Sequence, residues 1–210
     1  MTGKETALRE QPRLRRDAQR NREEILAAAV LAFAKDVNAS LEGIAKAAGV
    51  GIGTLYRHFP TREALLEAAY RNEIKKLCDA APELLKRNRP DVALARFLAR
   101  FIDDMLTKHG MIEALRAVVA VGGEASLNQS LAMIAAAVAP MIEAGRAEGL
   151  LRDDVTLEDF FLVKSAVILA GPEKGRRLAT ILLDGLRPSA EASAHQVGIK
   201  KAKNAAQRRR

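Results

Sequence analysis

The stretch Gly49–Pro60, GVGIGTLYRHFP, decides the fold. Glycines at 49, 51 and 53 are followed by Thr54, Tyr56, Arg57 and His58. Glycines this dense suit a loop that cradles a phosphate between a buried strand and a helix. They equally suit the turn and second helix of a unit that reads DNA. The flanking residues choose between the two. LEGIAKAA, ahead of Gly49, sets Glu42 and Lys46 on one side and leaves Ile44, Ala45 and Ala48 for the other. That is an amphipathic helix and not a buried strand. The glycine spacing also falls one residue short of the dinucleotide fingerprint, and no Lys-Ser or Lys-Thr pair of the nucleotide-hydrolase type is present. The helical reading accounts for each position instead. Ala45 permits a close crossing, Gly49 supplies a positive φ at the turn, and Ile44, Val50 and Leu55 pack between helices. Gly51 and Gly53 let backbone approach DNA, and Thr54, Tyr56, Arg57 and His58 face outward as partners for phosphates and base edges.

Working outward, a polar, arginine-dense segment (residues 1–17) reads as a flexible basic lead-in. From about Ala18 the pattern turns helical, with Ile25, Leu26, Ala29, Val30 and Phe33 at three- and four-residue steps. KDVNAS breaks this helix, and Ser40 caps the next. Thr61 caps a further helix, REALLEAAYRNEIKKLCDAA, expected to continue to about residue 86. Beyond it the spacing predicts helices near 90–107, 110–122, 126–148, 156–170 and 173–187. Pro90 and Pro172 stand at first turns, and Thr156 with Asp159 resembles a capping box. No segment alternates with period two. The fold class is all-α, with a helix-turn-helix domain over 18–72, a larger helical domain over 73–187, and a disordered basic tail over 188–210.

Composition bounds what such a chain can do. Of 210 residues, 49% are apolar and only 4% aromatic, with no Trp, so the core is built from Ala, Leu, Ile and Val. The single cysteine, Cys78, cannot form an internal disulfide, which suits a reducing cytoplasm. The N-terminus lacks a signal-peptide core, and the longest apolar run, AMIAAAVAPMI, is too short to span a bilayer. A cytoplasmic protein without membrane attachment is expected. Net charge is +8, but residues 187–210 carry seven basic residues against one acidic, so pooled basicity says first that the tail is basic. His58, His109 and His195 are far apart and have no partners at metal-ligand spacing, and the acidic pairs Asp103-Asp104 and Asp153-Asp154 point different ways or sit in a connector. Neither a nucleophile elbow nor a kinase signature is present. No enzyme activity, metal or cofactor is expected.

The string ILAAAVLAFA…SLEGIAKAAGVGIGTLYRHFPTREALLEAAY resembles the DNA-binding domain of the TetR family of bacterial transcriptional regulators, over about residues 20–72. The resemblance implies that Ile52 to His58 form the recognition helix and that two protomers read half-sites of a pseudo-palindromic double-stranded DNA operator. By position it assigns Ser40, Gly51, Ile52, Gly53, Thr54 and Arg57 to the groove. It assigns Tyr56, His58 and Arg62 to phosphates, with Arg20 or Arg22 adding contacts. Three features depart from the family. The KDVNAS loop is short, Gly51 replaces a common capping serine, and Arg62 stands where many members have lysine. MIEAGRAEGLLRDDVTLEDFFLV is similar to a run in one TetR subgroup.

Past residue 72 the resemblance implies a domain that binds an unknown small-molecule effector and forms a homodimer through its last two helices. Phe160, Val163, Val167, Ile181, Leu182 and Leu186 supply more apolar surface than one inward face needs, and are the expected dimer interface. Phe97, Phe101, Met105, Met111, Met133, Met141 and Phe161 are the large adaptable side chains that line such pockets, although cores use the same types. The function expected is a ligand-responsive repressor. The alternative is a dimeric helical small-molecule-binding protein without sequence-specific DNA binding.

Overall fold

The computed structural model describes residues 3–108, 111, 115 and 124–188. Eight helices and no strand are found among them: α1 (Gly3–Lys35), α2 (Leu41–Ala47), α3 (Ile52–His58), α4 (Arg62–Asp79), α5 (Ala81–Arg87), α6 (Pro90–Thr107), α7 (Glu124–Ala147) and α8 (Leu157–Gly185). Met111 and Leu115 are helical and buried. The rest of the helix expected at 110–122, His109, and the tail beyond Pro188 with His195 lie outside the described residues. The chain divides into two compact units, residues 1–75 with 107–130, and residues 76–106 with 131–210. Residues 107–130 thus group with the first unit, whereas the expected boundary at residue 72 put them in the second.

In the first unit α1, α2 and α3 pack on one another. Ile25, Leu26, Ala29 and Phe33 of α1 are fully buried, with Ile44 and Ala45 of α2 and Leu55 of α3. The expected helix start at Ala18 is too late, since α1 already begins at Gly3. Its apolar stripe begins only at Ile25, so hydrophobic periodicity could not reveal the polar half. Caps set the other boundaries. The Gly43 N–H donates to Ser40 Oγ (3.1 Å) and the Ala64 N–H to Thr61 Oγ1 (3.0 Å). Gly49 turns the chain between α2 and α3 with φ +68°, as its position after Ala48 predicts. A half-buried ion pair, Lys108 Nζ to Glu73 Oε2 at 2.6 Å, ties α4 to the residue after α6 within this unit.

In the second unit Phe97, Phe101 and Phe160 are buried together with Leu94, Leu98, Ile134, Val138 and Met141. Phe97 and Phe160 lie 6.2 Å apart, ring centre to ring centre. Two expectations are corrected here. The helix from Thr61 was expected to reach about residue 86, but α4 stops at Asp79. A new helix, α5, starts at Ala81 with Pro82 in its first turn, where a missing N–H costs nothing. The apolar run of α7 is longer than expected: Asn128–Ala147 is long and apolar enough to cross a bilayer by length and composition alone. Its alanines account for that, while Ile134, Val138, Met141 and Ile142 are buried in the unit. Cys78 is half-buried, and burial, followed by the charge of Asp79, pushes its thiol up to about 11. It is therefore protonated and unreactive at neutral pH.

The two last expected helices are found as the two halves of α8, which meet at a kink at Gly171 with φ +76° and ψ −179°. Thr156 and Asp159 close a capping box at its start, with the Thr156 N–H donating to Asp159 Oδ2 at 2.7 Å. The Gly171 conformation is one that only glycine adopts without strain. Gly171→Ala is expected to destabilise the protein by about 1–3 kcal/mol in urea unfolding. Gly185→Ala, at a helical position with open space around it, should change stability by less than about 0.5 kcal/mol or raise it. Equal effects would remove the backbone at 171 as the cause.

Candidate nucleic-acid interface

The surface that α3 offers follows from its single buried residue. Seven residues give two turns, and Leu55 alone is buried. Ile52, Gly53, Tyr56 and Arg57 are exposed, and Thr54 and His58 are half-exposed. Tyr56 has 46% of its surface free. Gly51 is the N-cap, in extended backbone with no side-chain cap bond. A glycine there leaves first-turn N–H groups open to an anion or to water. Among the described residues, no group of three or more His, Cys, Asp or Glu is placed to hold a metal ion.

The other expected contact residues divide by what already engages them. Ser40 is exposed, but its hydroxyl oxygen accepts the α2 cap bond. Arg20 is exposed and paired with Glu24 at 2.9 Å. Arg22 is half-buried, its guanidinium 5.4 Å above the ring of Phe59, the C-cap residue of α3. Arg62 departs furthest from expectation. Its guanidinium donates to the carbonyls of Ala39 (3.0 Å) and Val37 and lies 4.7 Å above the Phe33 ring. Two of its donors hold the α1–α2 loop, which gives Arg62 a structural role within the first unit. The loop is short because two devices fold it: Arg62 from outside, and Asp36 from within, whose Oδ1 accepts the Asn38 N–H at 2.8 Å.

The family models match both parts of the chain. Residues 25–69 match the bacterial regulatory proteins of the tetR family, and residues 89–188 match the C-terminal domain of SbtR-like transcriptional regulators. A TetR transcriptional regulator from Streptomyces coelicolor, SCO0520, is 46% identical, over 80% of this chain and 99% of its own, with a TM-score of 0.66. The chain belongs to the TetR family. It is a DNA-binding transcriptional regulator. A second TetR regulator, from Mycobacterium vanbaalenii, is 31% identical over 83% of this chain and 99% of its own, with a TM-score of 0.65. Thermus thermophilus FadR, solved with lauroyl-CoA, shares the fold at 20% identity and a TM-score of 0.55, over 78% of this chain and 90% of its own. Comparison with curated protein sequences gave no match.

In this TetR regulator the residues expected at the effector site and dimer interface differ in burial. Phe97, Phe101, Met105 and Met141 are buried in the second unit, and Met133 and Phe161 are half-buried there. Met111 belongs to the first unit. None of these lines the three described grooves. Lys164 was missed. Its ammonium stands 5.5 Å from the ring centres of both Phe101 and Phe161, and burial lowers its pKa. Of the six expected interface residues, Phe160, Val163 and Val167 are buried in a single chain, Val163 at the floor of a groove. The exposed apolar residues of α8 are Leu162 (62%), Leu169 (86%) and Ile181 (56%). Leu162 and Ile181, with Val163, Leu182 and Leu186, line a groove of about 360 Å³ between the two halves of α8.

Arg62→Ala is expected to lower stability by about 1–3 kcal/mol in urea unfolding, through two lost carbonyl bonds and the lost stacking on Phe33. Arg62→Lys should recover little, since an ammonium does not present the planar fork that serves two carbonyls at once. Unchanged stability with weakened DNA binding would return Arg62 to the phosphate contacts.

Proposed function

We propose that this protein is a repressor that binds a pseudo-palindromic operator as a homodimer and is released by a small molecule, acting in the cytoplasm. The observation that carries the DNA-reading part is α3 itself, a rod anchored by Leu55 with Ile52, Gly53, Tyr56 and Arg57 exposed together on its outer surface. In this reading Ile52, Gly53, Thr54 and Arg57 meet base edges, Tyr56 and His58 meet phosphates, and Gly51 offers backbone N–H groups. Effector binding among the helices of the second unit shifts them. Helix α4, whose sequence runs from one unit into the other, passes the shift to the reading head. The spacing of two heads on one duplex must match a helical turn or a multiple, so a small shift lowers affinity. Structural relatives supply a precedent for an apolar effector, as FadR of Thermus thermophilus was solved with an acyl-CoA.

Selection of bound fragments from random-sequence duplexes tests the reading. A two-fold symmetric sequence, bound with steep salt dependence, supports it; equal weak binding to all duplexes favours the small-molecule-binding alternative. On the selected duplex Tyr56→Phe should weaken binding by about 1 kcal/mol for every sequence. Arg57→Ala should relax preference at particular base pairs, by about 1–3 kcal/mol each. A uniform loss from Arg57→Ala would make it a phosphate contact.

The homodimer is placed on the outer face of α8, at Leu162, Leu169 and Ile181. Leu169→Glu is expected to give a folded monomer by light scattering and circular dichroism, because Leu169 is exposed in a single chain. A dimer that survives this substitution moves the interface elsewhere.

A further inference from the structure

We infer that the groove between α6 and the second half of α8 is a binding site for a small amphipathic monoanion, an apolar body carrying one carboxylate or sulfonate. The sequence of α6 sets it up. Phe97, Leu98, Phe101 and Met105 fill the inward face, as an amphipathic helix requires. The far side should then be polar throughout, yet Val92, Ala95 and Ala99 keep part of it apolar. Ala99 is exposed, and Val92 and Ala95 are half-buried. Helix α8 meets this stripe with Ala179 and Leu183, and together they border a groove of about 540 Å³. All the lining residues belong to the second unit. That volume falls in the range of small-molecule clefts, roughly 300–1,000 Å³. Even two turns of a partner's helix, about 10–12 Å across, would overfill it.

The rim decides the charge of the occupant. Arg96, Arg176 and Arg187 line the groove, and Asp103 is the one carboxylate among its lining residues. Arg176 donates to Asp103 Oδ1 at 2.8 Å. Arg187 donates to Asp184 Oδ1 at 2.7 Å and has Asp91 Oδ2 3.7 Å from its Nε. Arg96 is exposed and has no hydrogen bond or ion pair among the described residues. One uncompensated guanidinium beside an apolar floor calls for one negative charge on an apolar body. Its planar fork presents paired N–H donors that suit a carboxylate or a sulfonate. The same rim disfavours residues 187–210 of this chain, which carry seven basic residues against one acidic. A second copy of the rim would bring the same excess of arginine. Leu183 and Ile181 stand about 200° apart round the helix, so the groove faces away from the residue given to the dimer.

The test titrates the full chain with anilinonaphthalene sulfonate and with its uncharged counterpart, phenylnaphthylamine, both read by fluorescence. The sulfonate should bind roughly tenfold more tightly than the amine. R96Q should remove that preference and leave the affinity for the amine unchanged. R96K should keep part of it, because a point charge attracts the sulfonate without the planar fork. A99W, which fills the groove, should weaken both dyes by about tenfold or more. Arg96 and Ala99 are exposed, so all three variants should keep the circular dichroism and urea midpoint of the wild type. Sulfonate binding that neither R96Q nor A99W changes places the dye elsewhere and overturns the site. Equal affinity of the wild type for the two dyes, or no binding of either, overturns it as well. If A99W instead splits a dimer in light scattering, the groove is an interface between copies and the small-molecule assignment falls. None of these readouts involves DNA, so they are separate from the reading of α3.

Discussion

A helix of seven residues with one buried side chain cannot fix its own direction. Isolated helices below about 12–15 residues are marginal in water, so α3 exists only because Leu55 is held against the rest of the first unit. Everything asked of α3 depends on that one contact being rigid. The surroundings supply the rigidity from three sides. Gly49 turns the chain without strain, α1 presents a fully buried stripe, and the Ser40 and Thr61 caps fix where the neighbouring helices begin. The outward residues of α3 keep much of their surface free for a partner.

Arg62 shows how the same unit holds its loop. A short connection between α1 and α2 leaves backbone carbonyls at Val37 and Ala39 that need donors. A guanidinium serves both and stacks on Phe33 as well. Many relatives carry lysine at this position, by the resemblance, and a lysine could not do all three. The arginine and the short loop are therefore one adaptation and not two separate departures. An arginine near a recognition helix reads in the sequence as a phosphate ligand, because residue type and register are all that a sequence offers. The two carbonyls that engage it are set by a turn at Asp36, whose geometry no periodicity reports.

The elements that were legible share a local cause. The α2–turn–α3 unit was readable from Ala45, Gly49 and Leu55, and the capping box from Thr156 and Asp159, since each depends on residues a few places apart. What was not legible depended on distant packing or on a missing donor. Pro82 marks the first turn of a separate helix, α5, a signal present in the sequence but masked by the strong helical pattern around it. The polar half of α1 has no apolar stripe to betray it. At the candidate effector site, residue types alone could not separate core from pocket, and Phe97, Phe101 and Met141 are buried in the second unit, as either role requires. Lys164 lay in plain view as a lysine in an apolar run, and only its placement over two aromatic rings gives it meaning.

Helix α8 is where periodicity misleads most, because it is apolar on two faces at once. Phe160, Val163 and Val167 share the inward face, whereas Leu162 and Leu169, one heptad apart, share the outward one. A count of apolar residues sees the surplus but cannot say which members make it. The exposed set is the one available to a second chain, and its size bears on how association could work. Covering Leu162, Leu169 and Ile181 would contribute about 1.5–3 kcal/mol each. Ordering two protomers costs an estimated 4–15 kcal/mol or more, shared between both copies of the patch. Three residues per protomer are thus of the same order as the cost, with little left over. A stable dimer needs the groove between the two halves of α8 filled as well, and that groove keeps its shape only while Gly171 holds the halves at their present angle. The break in α8 and the face that α8 offers are therefore a single feature, and neither can change without the other.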